Sequence, residues 1–178
     1  MSGLFFFNFF DTVHAVFNWK NMKYTRLTKE QFEELHQEFI NFLASQSITG
    51  KEWEEIKNQK PEVAEEELDV FSDLIWEGVL DKVTHLEHFS PSQMYLFHIT
   101  PVEIHLIAVK VNNEAINITT REGYQWLQKN LMDDSVNLYT SSKVLTDDRN
   151  KDIFALIQQG AVITKGDLFK YFDKVINK

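Results

Sequence analysis

Cysteine is absent from all 178 residues. That removes disulfides, thiol nucleophiles, zinc knuckles and cysteine-ligated iron–sulfur clusters together. Glycine is nearly as scarce, at six residues, and no G-x-G-x-x-G run is available to cradle a phosphate. Positive charge is also short: 18 Lys and Arg stand against 27 Asp and Glu, a formal charge of −9. Bare nucleic acid is a poor fit for that balance, because its affinity comes mainly from Lys and Arg neutralising phosphates. A basic protein partner or a small ligand fits better. No apolar run approaches the ~20 residues that a membrane helix needs, so no membrane association is expected.

What is present is ordinary globular material, 43% hydrophobic and 25% charged. A chain of this length buries about 70% of its unfolded surface and holds a core without metal or disulfide staples. A single domain over 22–178 is expected. Residues 1–21 stand apart, with six of the fifteen phenylalanines (Phe5, Phe6, Phe7, Phe9, Phe10, Phe17). They lack the basic n-region and the uninterrupted apolar run of a secretory signal. Well-formed helix-start signals follow Met22, so the segment reads as an extension upstream of a natural start there. The rival reading is an aromatic arm that docks in a groove.

The order of elements predicts an α+β fold. Three N-terminal helices come first, two of them opened by capping boxes at Thr28/Gln31 and Thr49/Glu52. The first buries Phe32, Leu35, Phe39, Ile40 and Leu43 at helical spacing, and Pro61 opens the third. Runs rich in Ile, Val, Tyr and Phe then predict strands at 93–99, 103–111 and 115–119. Asn112-Asn113 suits a hairpin turn between the last two. Thr119 and Glu122 read as a third capping box, and the helix they open crosses over to a fourth strand at 136–140. Helices over 149–159 and from 164 onward finish the chain. The sheet is expected to be small and mostly antiparallel.

Charge is concentrated in the third helix. Residues 61–81 carry eight carboxylates and no basic residue. At helical spacing Asp69, Asp73 and Glu77 form one stripe, with Trp76 and Leu80 inside it. Val63, Val70, Phe71, Leu74, Ile75 and Val79 form the face meant for the core. An aromatic and a leucine set among acids is the composition of a docking surface, the aromatic anchoring and the charges steering a basic partner. A second layer of the same protein covering Trp76 and Leu80 is the better explanation of the pattern, because Trp is usually largely buried. Glu67 falls within the apolar face, either at its edge or paired with a base.

A turn centred on Pro101-Val102 sets His98 opposite His105 on adjacent strands, with Cβ atoms about 5 Å apart. Two imidazoles so placed can ligate a metal or relay protons. The same register puts Met94, Leu96, Ile107 and Val109 on that face, which then looks like core. No third ligand presents itself, because His85, Glu87 and His88 read as loop. Tyr139-x-x-x-Lys143 has dehydrogenase spacing without the dinucleotide loop. Asp147, Asp148 and Asp152 resemble a magnesium cluster, but Arg149 and Lys151 between them mark a helix start. Asn117-Ile-Thr119 is a glycosylation sequon without a secretion signal.

From Met22 onward the chain resembles an uncharacterised family of small soluble bacterial proteins. The resemblance rests on Met22-Lys-Tyr-Thr-Arg-Leu-Thr-Lys-Glu-Gln31, on Pro61-Glu-Val-Ala-Glu-Glu-Glu-Leu-Asp69 and on Val70-Phe-Ser-Asp-Leu-Ile-Trp-Glu-Gly78. It implies a cytoplasmic, stand-alone bacterial domain, and it carries over no catalytic role and no cofactor. With no nucleophile set, metal set or phosphate loop in view, the sequence favours a non-enzymatic interaction or regulatory protein. It would dock a basic partner through Asp69, Asp73, Trp76, Glu77 and Leu80. The alternative is a small-ligand binder or enzyme with a site between sheet and helices, using His98, His105 and also Glu67.

Overall fold

A computed structural model describes residues 22–177; the aromatic segment 1–21 lies outside the described residues. Among the described residues, seven helices and a five-stranded antiparallel sheet make an α+β fold. The described residues fall into two compact units, 22–81 and 82–177.

The first unit is helical: α1 (Lys29–Glu34), α2 (His36–Ser45), α3 (Gly50–Gln59) and α4 (Pro61–Leu80). Both expected capping boxes form. The Thr28 side chain accepts from the Gln31 amide while Gln31 returns a bond to the Thr28 amide, and Thr49 and Glu52 do the same. The single helix expected over the first heptads is broken at Leu35, whose φ of −99° and ψ of 21° leave the helical basin. Past the break Ile40 is 52% exposed, and Phe42 instead packs against Phe39 and Phe71, its ring 5.3 Å from Phe71. Phe39 is the hub: its ring centroid lies 5.0 Å from Phe71, 5.3 Å from Trp53 and 5.9 Å from Phe32. Edge-to-face pairs of this kind add about 0.5–1.5 kcal/mol each beyond the area they bury.

The second unit holds the sheet, in the order β4-β3-β2-β1-β5. Its strands are β1 (His85–Ser90), β2 (Gln93–Ile99), β3 (Glu103–Val111), β4 (Val136–Val144) and β5 (Val162–Ile163). Helices α5 (Arg121–Lys129), α6 (Arg149–Gln158) and α7 (Asp167–Ile176) complete it. Strands β2 and β3 fall where alternation and turn chemistry put them. Three expectations are corrected. Residues 85–90, read as loop, form β1. Residues 115–119 are not a strand: the Asn113 carboxamide oxygen accepts the Ala115 amide in a turn. The α5 cap is Thr120, which accepts the Gly123 amide, rather than Thr119. One sheet face packs Met94, Leu96, Ile107 and Val109 with Ile118, Leu127, Phe169 and Phe172. Leu86, Phe97, Ile104 and Leu106 on the other face are buried as well.

Candidate functional site

The acidic stripe is already engaged inside the helical unit. The extended segment ahead of α1 runs along α4 and satisfies its carboxylates one after another. Asp73 accepts two backbone amides, Lys23 N at 2.7 Å and Tyr24 N at 2.9 Å. Lys23 Nζ reaches Glu77 at 2.5 Å. Arg26 Nε donates to Asp69 at 2.6 Å, and its guanidinium also pairs with Glu65. Trp76 Nε1 donates to the Thr25 carbonyl at 2.9 Å, and Leu80 is fully buried. Leu27, itself buried, donates its amide to Ser72 Oγ at 3.2 Å. Burial pushes the Tyr24 phenol up to about 12, against the pull of Lys23 and with Glu77 reinforcing it.

The face assigned to the core therefore needs revision. Phe71 is 1% exposed, but Val70 and Leu74 are each 54% exposed. The buried side of α4 is turned toward Ala64, Phe71 and Ser72, and the extended segment 22–28, a strap laid along the helix, covers part of the face expected to point outward. Glu67 accepts from Gln46 Nε2 at 3.0 Å, so its partner is an amide rather than a base.

The histidines come together in the sheet unit. His98 pairs with His105 across β2 and β3, in the register the turn implied. His85 pairs with His98 across β1 and β2, which turns the pair into a row of three. The rings stack, with centroids 4.7 Å apart and 13° between planes for His85 and His98. His98 and His105 are 5.9 Å apart at 26°. Phe169 of α7 lies against the row, 5.9 Å from His85 and 5.4 Å from His98. Gly166, which caps α7 at φ 74°, makes that seating possible: a Cβ there would fall 2.1 Å from His85 Cδ2. His85 Nδ1 is 3.0 Å from Thr84 Oγ1, and His105 Nε2 is 3.2 Å from Glu103 Oε1.

Beyond His98 the row opens into a pocket of about 380 Å³ between the strands and α7. His98, His105, Thr140, Ser141, Asp173 and Asn177 give it polar groups, and Phe169 and Ile176 give it apolar wall. His85 was missed in the sequence because its segment read as loop. The usable signal was the alternation of His85, Glu87 and Phe89 leading into a Pro91-Ser92 turn. Among the described residues no group of three His, Cys, Asp or Glu could hold a metal ion. No described helix is long and apolar enough to cross a membrane. The aspartates near 147–152 serve the helix start: Asp148 caps α6 by accepting the Lys151 amide, and Asp152 accepts the Thr146 amide.

Burial holds the His85 imidazole below the usual histidine range, helped by His98 and Lys170 and opposed by Asp167. Its folded pKa thus lies below the unfolded value of about 6.5. The stability it contributes is present above that value and is lost as pH falls through the folded pKa. Burial raises the Glu87 carboxyl, with the opposite sign, but Glu87 is common to wild type and a His85→Asn variant. The difference in unfolding free energy between the two is expected to shift against the wild type on acidification below about pH 6.5. A difference that stays constant with pH would show that His85 titrates alike in both states.

An α+β protein with a covered acidic helix and a histidine-lined pocket is the class these features define. The chain belongs to a family of unknown function (DUF6495), whose family model matches residues 22–177. No curated protein and no solved structure matches it.

Proposed function

We propose that the chain binds a small molecule in the pocket beside its histidine row. One observation supports this above all: His98 and His105 share an open cavity of about 380 Å³ with hydroxyl, carboxylate and amide groups. Cavities of roughly 300–1,000 Å³ with a few convergent polar groups on an apolar wall are the usual form of a ligand site. The test is imidazole NMR of the whole chain against a fragment collection of mixed charge, with Thr140→Trp beside the wild type. Thr140 is exposed on an edge strand, where an aromatic is well tolerated, and its replacement fills the cavity. Ligands that move the His98 and His105 signals in the wild type and leave Thr140→Trp unaffected are the expected result. Fragments that bind both proteins equally, or neither, would sink the reading.

A second reading, a docking module for a basic partner at α4, is favoured by the strap itself. An extended segment carrying Lys23 and Arg26 sits on Glu65, Asp69, Asp73 and Glu77, so this is the chemistry the stripe accepts. A partner would take the strap's place. In full-length Lys23→Ala/Arg26→Ala, a peptide spanning residues 22–28 should bind more tightly than to wild type, and more weakly as salt screens the charges. Equal, salt-independent binding to both proteins would dispose of it.

A further inference from the structure

The pocket's polar groups divide into two kinds, and the division points to a ligand class. Two imidazoles line the sheet side and one carboxylate, Asp173, lines the α7 side. A metal ion does not fit the sheet side. Zinc needs each nitrogen about 2.0–2.1 Å away, whereas the His98 and His105 rings stack with centroids 5.9 Å apart, and the described residues offer no group of three metal ligands. Hydrogen bonds reach further, at about 2.7–3.2 Å per donor, and a carboxylate set across the outer edges of the two rings can accept a ring N–H from each. Thr140 and Ser141 border the same space, Thr140 with its side chain on the face that carries His105 and Ile107. Asp173, held by Asn177 Nδ2 at 2.8 Å, is placed to take a positive group, and Phe169 and Ile176 leave room for an apolar body between the two ends.

Resting on the reading of this pocket as a ligand site, we infer that it takes a small zwitterion of amino-acid size. The carboxylate of the ligand lies on His98 and His105, and its ammonium lies toward Asp173.

The experiment titrates the full chain with each of the common neutral amino acids. For any that binds, it also tests the amide, which keeps only the positive end, and the deaminated acid, which keeps only the negative one. His98 and His105 imidazole signals and calorimetry are the readouts. The zwitterion should bind tightest, weaken about tenfold in His105→Asn and about threefold in Asp173→Asn. The deaminated acid should bind equally to wild type and Asp173→Asn. Acid or amide binding as tightly as the parent, with no loss in Asp173→Asn, overturns the zwitterion while leaving the pocket as a ligand site. No response to any amino acid also overturns it, and the mixed-charge fragments then judge the pocket on their own.

Discussion

Gly123→Ala is expected to lower stability by about 3 kcal/mol or more, which for a chain of this size lowers Tm by roughly 6–12 °C. Propensity alone predicts the reverse, since alanine is better than glycine inside a helix by about 1 kcal/mol. Geometry decides the sign. A Cβ at Gly123 would lie 1.8 Å from the Asn117 carbonyl oxygen, 2.4 Å from its carbon and 3.1 Å from Ile118 N. These are backbone atoms with other commitments. The same carbonyl accepts Thr120 N and Thr120 Oγ1, and Ile118 N donates to Pro91 O at 2.9 Å. Ile118 is 2% exposed and Leu127 of α5 is fully buried, so neither the turn nor the helix retreats freely. Thermal unfolding followed by circular dichroism measures the effect. A neutral or stabilised variant would show that residues 117–120 yield where their hydrogen bonds say they do not.

The same residues show what the sequence could and could not disclose. Capping at Thr28 and Thr49 was legible because donor and acceptor sit three residues apart. The His98–His105 pairing was legible because a short turn sets the register of both its strands. Features that depend on distant partners were not. Leu35 interrupts a run whose periodicity continues through it. Residues 115–119 carry strand-forming side chains, but Asn113 and Asn117 draw the chain into side-chain-supported turns. His85 needed β1 to be recognised before it could join a row. Most of all, the acidic stripe looked unpartnered because part of what binds it is backbone: amides carry no sequence signature, and Lys23 and Arg26 lie 39–54 positions away from the acids they meet.

Asp73→Ala is the substitution that separates a structural strap from a bare acidic face, and it is expected to free residues 23–27 at a cost of about 2–3 kcal/mol. The two amide bonds to Asp73 are charge-assisted, each worth about 1.5–3 kcal/mol when sheltered and less when exposed. One is part-buried and the other exposed, which places the pair near the lower end. The neighbouring ion pairs contribute less. Lys23 and Glu77 side chains are each 36% exposed, and pairs at that exposure are worth about 0–1 kcal/mol. Glu77→Gln should therefore change stability little, and Asp73→Asn, keeping one acceptor oxygen, should recover part of the loss. Hydrogen exchange reads the outcome directly: amides of Lys23, Tyr24 and Leu27 should exchange faster in Asp73→Ala while those within α4 keep their protection. Because Trp76 Nε1 holds the Thr25 carbonyl, its fluorescence should shift toward that of a solvated indole. Unchanged exchange would mean that the buried Leu27 and Tyr24 hold the strap without Asp73, and a basic partner would then have to displace a hydrophobic contact rather than compete for charge.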